Sequence, residues 1–329
     1  MDHVRNTGWA AFLVAVALFM SSPAILAQQA ADYPARPVKV IVAQAAGGAT
    51  DLQARLFSSR LSDNLGRQFL VENREGAGNT IGFGYAAKQP PDGYSLLAVT
   101  PSFTFSPALY KGLDYDPVKD FAPISIVTRA PYLLVAHPGL PVKSVQELIA
   151  YVKSRPGKLN FGVGGAGSFT HLAAVWMADL ARIDVDYIPY KGTGPVLVDL
   201  MAGRVDLTFA SPLTTLPHIK SGKMRALATS MGRRSQVLPD LPTIAESGLT
   251  GYDLNTWHGW SAPARTPPAV LGKMATELAK VVNSPQIAKQ LASDGGEPVG
   301  SSPEEFRQLI VSEVERWRRL VASSRITVE

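Results

Sequence analysis

The feature that most constrains this chain is the way strand-like and helix-like segments alternate, stop and begin again. Residues 38–43 (VKVIVA) are a continuous apolar, β-branched run and predict a buried strand. Residues 45–51 (AAGGATD) follow as a turn, and residues 52–65 set Leu52, Leu56, Leu61 and Leu65 at helical spacing ahead of Gly66, the residue favoured just past a helix end. A strand at 68–72, a helix at 80–88, the turn Pro90-Pro91-Asp92-Gly93 and a strand at 94–100 complete this series. Strands alternating with helices predict an α/β fold with mostly parallel sheets covered on both faces.

The pattern then restarts. Residues 124–136 are long, apolar and β-rich, and Ser144 with Glu147 makes a capping box for a helix reaching about residue 154. Strands at 159–163, 185–189, 205–211 and 224–230 alternate with helices at 168–182 and 195–202. From Thr266 onward the chain reads as helical, with Thr266, Ser284 and Ser302 each preceding a proline, and Ser302 and Glu305 forming a second capping box. Two lobes follow from two such halves. The expected division is 32–128 plus 232–329 for lobe 1, including the helical tail, and 129–231 for lobe 2. Segments 124–136 and 224–231 are the expected crossover strands, and the tail is expected to pack on lobe 1.

The N-terminus sets the expected compartment. Residues 9–20 (WAAFLVAVALFM) are an apolar run of twelve behind a short start bearing Arg5, and they lead to Ala24-Ile25-Leu26-Ala27. This is the layout of a secretory signal peptide cut after Ala27; a spanning helix needs about 20 apolar residues. The chain has no cysteine, so disulfides, thiolate chemistry and a lipid-modified cysteine anchor are excluded. A free periplasmic protein, monomeric and not lipid-anchored, is the expectation. A net charge of +5 leans toward anionic ligands. The basic residues lack the dense stripe that nucleic acid binding needs.

Glycine-rich turns placed between a strand and a helix carry the chemistry. They are Gly47-Gly48-Ala49-Thr50-Asp51, then Gly162 to Ser168 (GVGGAGS), then Gly192-Thr193-Gly194-Pro195. A helix N-terminus offers unpaired N–H groups and the positive end of the helix dipole. Turns of this kind converging on one cleft would hold an anion with no lysine or arginine. Gly162, Gly164 and Gly167 also fit G-x-G-x-x-G, but the acidic residues Asp184 and Asp186 stand at the start of the next strand rather than its end, which argues against a dinucleotide. The five histidines are scattered with no H-x-x-x-H pair, and neither a G-x-S-x-G elbow nor a P-loop occurs. Ser168 and His171 read as a helix cap and its first turn, and Asp51 also has capping as its simplest role. Trp257-His258-Gly259-Trp260 fits a cleft wall or a core aromatic cluster equally. The expectation is a binding protein, not an enzyme, needing no metal or cofactor.

Several stretches resemble the Bug (TctC-type) extracytoplasmic receptors of tripartite tricarboxylate transporters. They include YPARPVKVIVAQAAGGATD (33–51), VENREGAG (71–78), PPDGYSLL (90–97), FGVGGAGSFTHLA (161–173), YKGTGPVLVDLMAGRVD (190–206) and LPDLPTIAESG (239–248). The resemblance runs from Tyr33 to about Ile326. It implies a two-lobed periplasmic-binding-protein fold that closes on a small organic carboxylate, such as a di- or tricarboxylate, an aromatic acid or an amino acid, and a membrane permease as partner. A carboxylate sensor feeding a signalling protein is the alternative the sequence leaves open.

By position, the resemblance implies that lobe 1 contributes Gly47, Gly48, Thr50 and Asp51, with Thr100 and Ser102. Lobe 2 would contribute Gly165, Ala166, Gly167 and Ser168, then Gly192, Thr193, Gly194 and Pro195, with Asp206 near this region. The chain departs from the family pattern at Gln44-Ala45, at Glu75 and at Ala210-Ser211-Pro212, where many members carry Asp-Asn. Gln44 and Ser211 are expected to enter the cleft.

Overall fold

The computed structural model describes residues 32–323 apart from 45, 48, 191, 236, 237 and 294. The segment read as a signal peptide, 1–27, lies outside the described residues. Along the chain come β1 (Val38–Val42), α1 (Ala49–Leu65), β2 (Phe69–Asn73), α2 (Thr80–Ala87), β3 (Ser95–Val99), α3 (Ser102–Leu109) and β4 (Phe121–Pro131). Then follow β5 (Leu133–Ala136), α4 (Val145–Ser154), β6 (Asn160–Val163), α5 (Phe169–Ala181), β7 (Asp186–Pro189), α6 (Thr193–Met201), β8 (Leu207–Ala210), α7 (Pro212–Lys220) and β9 (Arg225–Thr229). The last elements are β10 (Asn255–Pro263), α8 (Pro268–Val282), α9 (Pro285–Ser293), β11 (Glu297–Pro298) and α10 (Pro303–Ser323).

These strands make two sheets, ordered β11-β4-β10-β3-β1-β2 and β7-β6-β8-β5-β9. Each is parallel on one side, where β2-β1-β3 and β7-β6-β8 carry the βαβ units. Each is antiparallel on the other side, where strands arrive from the opposite lobe. β1 shows why the parallel side is central: Val38, Val40, Ile41 and Val42 are fully buried, as a strand covered on both faces requires.

One continuous run, β4 then Tyr132 then β5, leaves the first sheet and enters the second. The return path runs from β9 through Ser230 to Leu254 and into β10. Ser230 knits these paths together: Tyr132 N–H donates to its Oγ at 2.9 Å, its Oγ donates to Leu254 O, and its own N–H donates to Tyr132 O at 2.9 Å. β10 has no counterpart in the sequence reading, because Gly259 interrupts a short aromatic run. That glycine is required by packing, since a Cβ there would overlap the ring of Phe306 in α10.

The tail helix α10 packs on both lobes rather than on the first alone. Its Phe306, Ile310 and Val314 share a core with Ile41, Leu97 and Trp257, while Trp317 and Leu320 share one with Leu172, Phe209 and Tyr252. The spacing is that of one helical stripe. The Ser302–Glu305 capping box forms reciprocally, with Ser302 N–H on Glu305 Oε2 at 2.8 Å and Glu305 N–H on Ser302 Oγ at 3.2 Å.

Candidate functional site

The turn between β1 and α1 is fixed by a buried acid. Asp51 is 2% exposed and its carboxylate accepts from Gly47 N–H at 2.9 Å, Arg55 Nε at 2.9 Å and Asn73 Nδ2 at 3.0 Å. The same Asn73 amide donates to Gln44 O at 2.9 Å, closing the turn from the β2 side. Burial alone would raise the Asp51 pKa, but the Arg55, Gly47 and Asn73 hydrogen bonds outweigh it and hold the carboxyl below its ordinary range. Asp51 therefore shapes the turn, and its oxygens are already engaged. Gly47, at φ 82°, takes the left-handed conformation that lets its N–H face this acid.

Directly beyond the turn lies a cavity of about 360 Å³ between the lobes. Its floor comes from β4 and β10, whose cross-strand pairs Ala130↔Thr256 and Thr128↔His258 present alternate residues to it. The intervening Trp257 is fully buried. One wall is Gln44, Ala49, Thr50, Leu52, Gln53 and Thr100; the facing wall is Tyr132 with Ser211 and Leu213; Leu291 and Gly296 complete the rim. At that rim a Cβ on Gly295 would stand 2.8 Å from Pro212 of α7, so the lobes meet there.

Among the described residues, none that lines the cavity is Asp, Glu, Lys or Arg. Burial pushes His258 down to about 4, so its imidazole is neutral at neutral pH. Thr128 Oγ1 donates to Gln53 Oε1 at 3.1 Å, which leaves it to accept from His258 Nδ1 at 3.3 Å. The cavity is an uncharged chamber at the N-terminal end of α1, where the first N–H groups lack intrahelical partners. Such a chamber favours a carboxylate over a cation.

The expected residues divide on placement. Gln44, Thr50, Thr100 and Ser211 line the cavity. Ser102 stands behind, its Oγ 2.9 Å from Thr100 Oγ1 and accepting from Asn79 Nδ2 at 2.8 Å. Gly48 lies outside the described residues. The loops after β6 and β7 lie on the same edge of the second sheet as Ser211, because β6, β7 and β8 are parallel. Gly165, Ala166, Gly167, Ser168, Gly192, Thr193, Gly194 and Pro195 are not among the lining residues of this cavity.

These loops also use many of their own donors. Gly164 N–H goes to Thr170 Oγ1 at 2.9 Å, Gly167 N–H to His171 Nδ1 at 3.1 Å and His171 N–H to Ser168 Oγ at 3.2 Å. Gly192 N–H goes to Gly164 O at 3.0 Å. Ser168 and His171 are thus a cap and its first turn. Asp206 requires a correction: it precedes β8, at the sheet edge opposite the cleft, and its Oδ2 accepts from Asn160 N–H at 2.8 Å. It ties the start of β6 to β8 and does not approach the cavity.

Sequence reasoning missed Gln53, Thr128, Tyr132 and Thr256, while His258 lay in a run that it left open between cleft wall and core. The available signal was period-2 alternation: Thr128, Ala130 and Tyr132 fall on alternate positions of a run read only as a crossover.

A family model described as the tripartite tricarboxylate transporter family receptor matches residues 53–326. The chain belongs to this family. Protein BugT of Bordetella pertussis is 35% identical over 94% of this chain and 96% of its own length. Among solved structures, Rpa4515 of R. palustris with adipate is 36% identical with a TM-score of 0.76, covering 88% of this chain and 98% of that one. MatC of Rhodopseudomonas palustris with bound malate is 32% identical with a TM-score of 0.73, covering 88% and 100%. The receptor is accordingly a two-lobed solute-binding protein, and no helix among its described residues is long and apolar enough to cross a membrane.

Proposed function

We propose that this receptor captures a small organic carboxylate in the cleft between its lobes, in the periplasm, and hands it to the membrane permease of a tripartite tricarboxylate transporter. The observation that carries the reading is the uncharged cavity at the N-terminal end of α1, with Gln44, Thr50 and Thr100 supplying neutral donors. Relatives with bound adipate and malate support the ligand class. Lobe closure about Ser230 would desolvate the acid and give the permease a surface distinct from the open form. The function requires neither metal nor cofactor, and turnover is not part of it.

A thermal-shift screen against organic acids tests the proposal. A ligand at a hundred times its Kd stabilises the native state by about 2.7 kcal/mol, worth several degrees in a chain of this size. An acid that raises Tm in this way is the expected result. Flat melting curves across mono-, di- and tricarboxylates would refute it.

A further inference from the structure

We infer that the ligand is a monocarboxylate with an uncharged, largely apolar body, its carboxylate on the α1 side and its body against Leu52, Leu213 and Leu291. This deepens the function proposed above and rests on it.

Each wall of the cavity carries an exposed leucine, but the two differ in their polar groups. The α1 wall offers Gln44, Thr50 and Thr100 together with the helix N-terminus. The facing wall is built on α7, whose leading donors are already used. Pro212 has no N–H. Leu213 N–H donates to Ser211 Oγ at 3.3 Å, and the N–H groups of Thr214 and Thr215 both donate to Ser211 O at 3.2 Å. The Thr214 and Thr215 hydroxyls turn to the same carbonyl, at 3.0 and 2.8 Å. Beside Tyr132 and Ser211, what this wall turns to the ligand is the Leu213 side chain, 55% exposed, opposite Leu52, 60% exposed. Two large apolar side chains left open on facing sides of one cavity call for an apolar body between them.

A second carboxylate on that body would be desolvated with only neutral groups of this wall, the Tyr132 and Ser211 hydroxyls, to meet it, too little to balance a buried charge. An ammonium fares no better, because among the described residues the lining holds no acidic side chain. Tricarboxylates and α-amino acids are rejected on the same ground. The determinants lie at Ser211-Pro212-Leu213, the first two of which belong to the Ala210-Ser211-Pro212 stretch where the chain departs from the family pattern.

Matched pairs test this by titration calorimetry on the purified protein: hexanoate against adipate, and benzoate against terephthalate, with citrate and glutamate alongside. In at least one pair the monocarboxylate is expected to bind at least about tenfold more tightly, the scale set by burying an exposed leucine face. Leu213→Lys, at a site exposed enough to tolerate it, is expected to shrink that ratio at least fivefold by supplying a cation. A diacid, citrate or glutamate that binds as tightly as the best monocarboxylate overturns the inference and leaves the carboxylate function standing. A ratio unmoved by Leu213→Lys overturns the placement of the body. If no acid binds, the proposed function fails and this inference fails with it.

Discussion

Replacing Asp51 by alanine should both destabilise the receptor and loosen its grip on ligand. The substitution removes a buried carboxylate that accepts from Gly47 N–H, Asn73 Nδ2 and Arg55 Nε. Arg55 is half exposed and can turn to water, so the ion pair contributes little by itself. The larger cost comes from the Gly47 and Asn73 donors, each losing a charge-assisted bond of about 1.5–3 kcal/mol. A total near 3 kcal/mol is expected in urea denaturation monitored by circular dichroism. Because the folded-state pKa of Asp51 lies below its unfolded value, its contribution is present above about pH 4 and is lost as pH falls through the folded pKa. The gap between wild type and variant should therefore close on acidification. Affinity should fall as well, since Gln44 is tied to the same Asn73 amide. A loss below about 0.5 kcal/mol that does not vary with pH would refute this account of the turn.

Other perturbations address the hinge, the floor and the tail. Ser230→Ala removes the hydroxyl linking Tyr132 to Leu254 and should cost about 2 kcal/mol, read as a lower denaturation midpoint; an unchanged midpoint would contradict its role. His258 has a folded-state pKa depressed to about 4, so its contribution is full above about pH 6.5 and is lost as pH falls toward 4. His258→Gln should flatten the stability profile across that window, on the order of 3 kcal/mol, and a profile matching wild type would count against the assignment. Gly259→Ala would drive a methyl into Phe306 and should destabilise by about 1–3 kcal/mol, measured by calorimetric melting; full stability would mean that α10 can shift freely.

Much of this architecture is legible in the sequence because it is written locally. The β1–α1 alternation, the Ser302–Glu305 cap and the apolar 124–136 run depend on neighbours a few residues apart. The Ser168 cap was readable for the same reason. β10 was not, because Gly259 breaks its apolar run and its justification, Phe306, lies far along the chain. The donor economy of the glycine turns was hidden too. Thr170 and His171 reach back to take Gly164 and Gly167 N–H groups, so glycine content alone overstated how many were free. Asp206 misled because it stands just before β8, and that strand runs toward the cleft, so its start lies at the far edge of the sheet. The cavity floor needs β4 and β10 paired in register, which no single stretch of sequence contains.

An organic carboxylate is proposed to be held in the cavity at the head of α1. The most direct test is titration calorimetry of the acid that gives the largest thermal shift, on wild type and on Thr50→Val with Thr100→Val. Both threonines line the cavity and are nearly buried, so valine keeps their shape and removes the hydroxyl donors. At least about tenfold weaker binding is expected in the double variant, one to two hydrogen bonds to a charged group, with the fold retained by circular dichroism. Unchanged affinity in a folded double variant would contradict it.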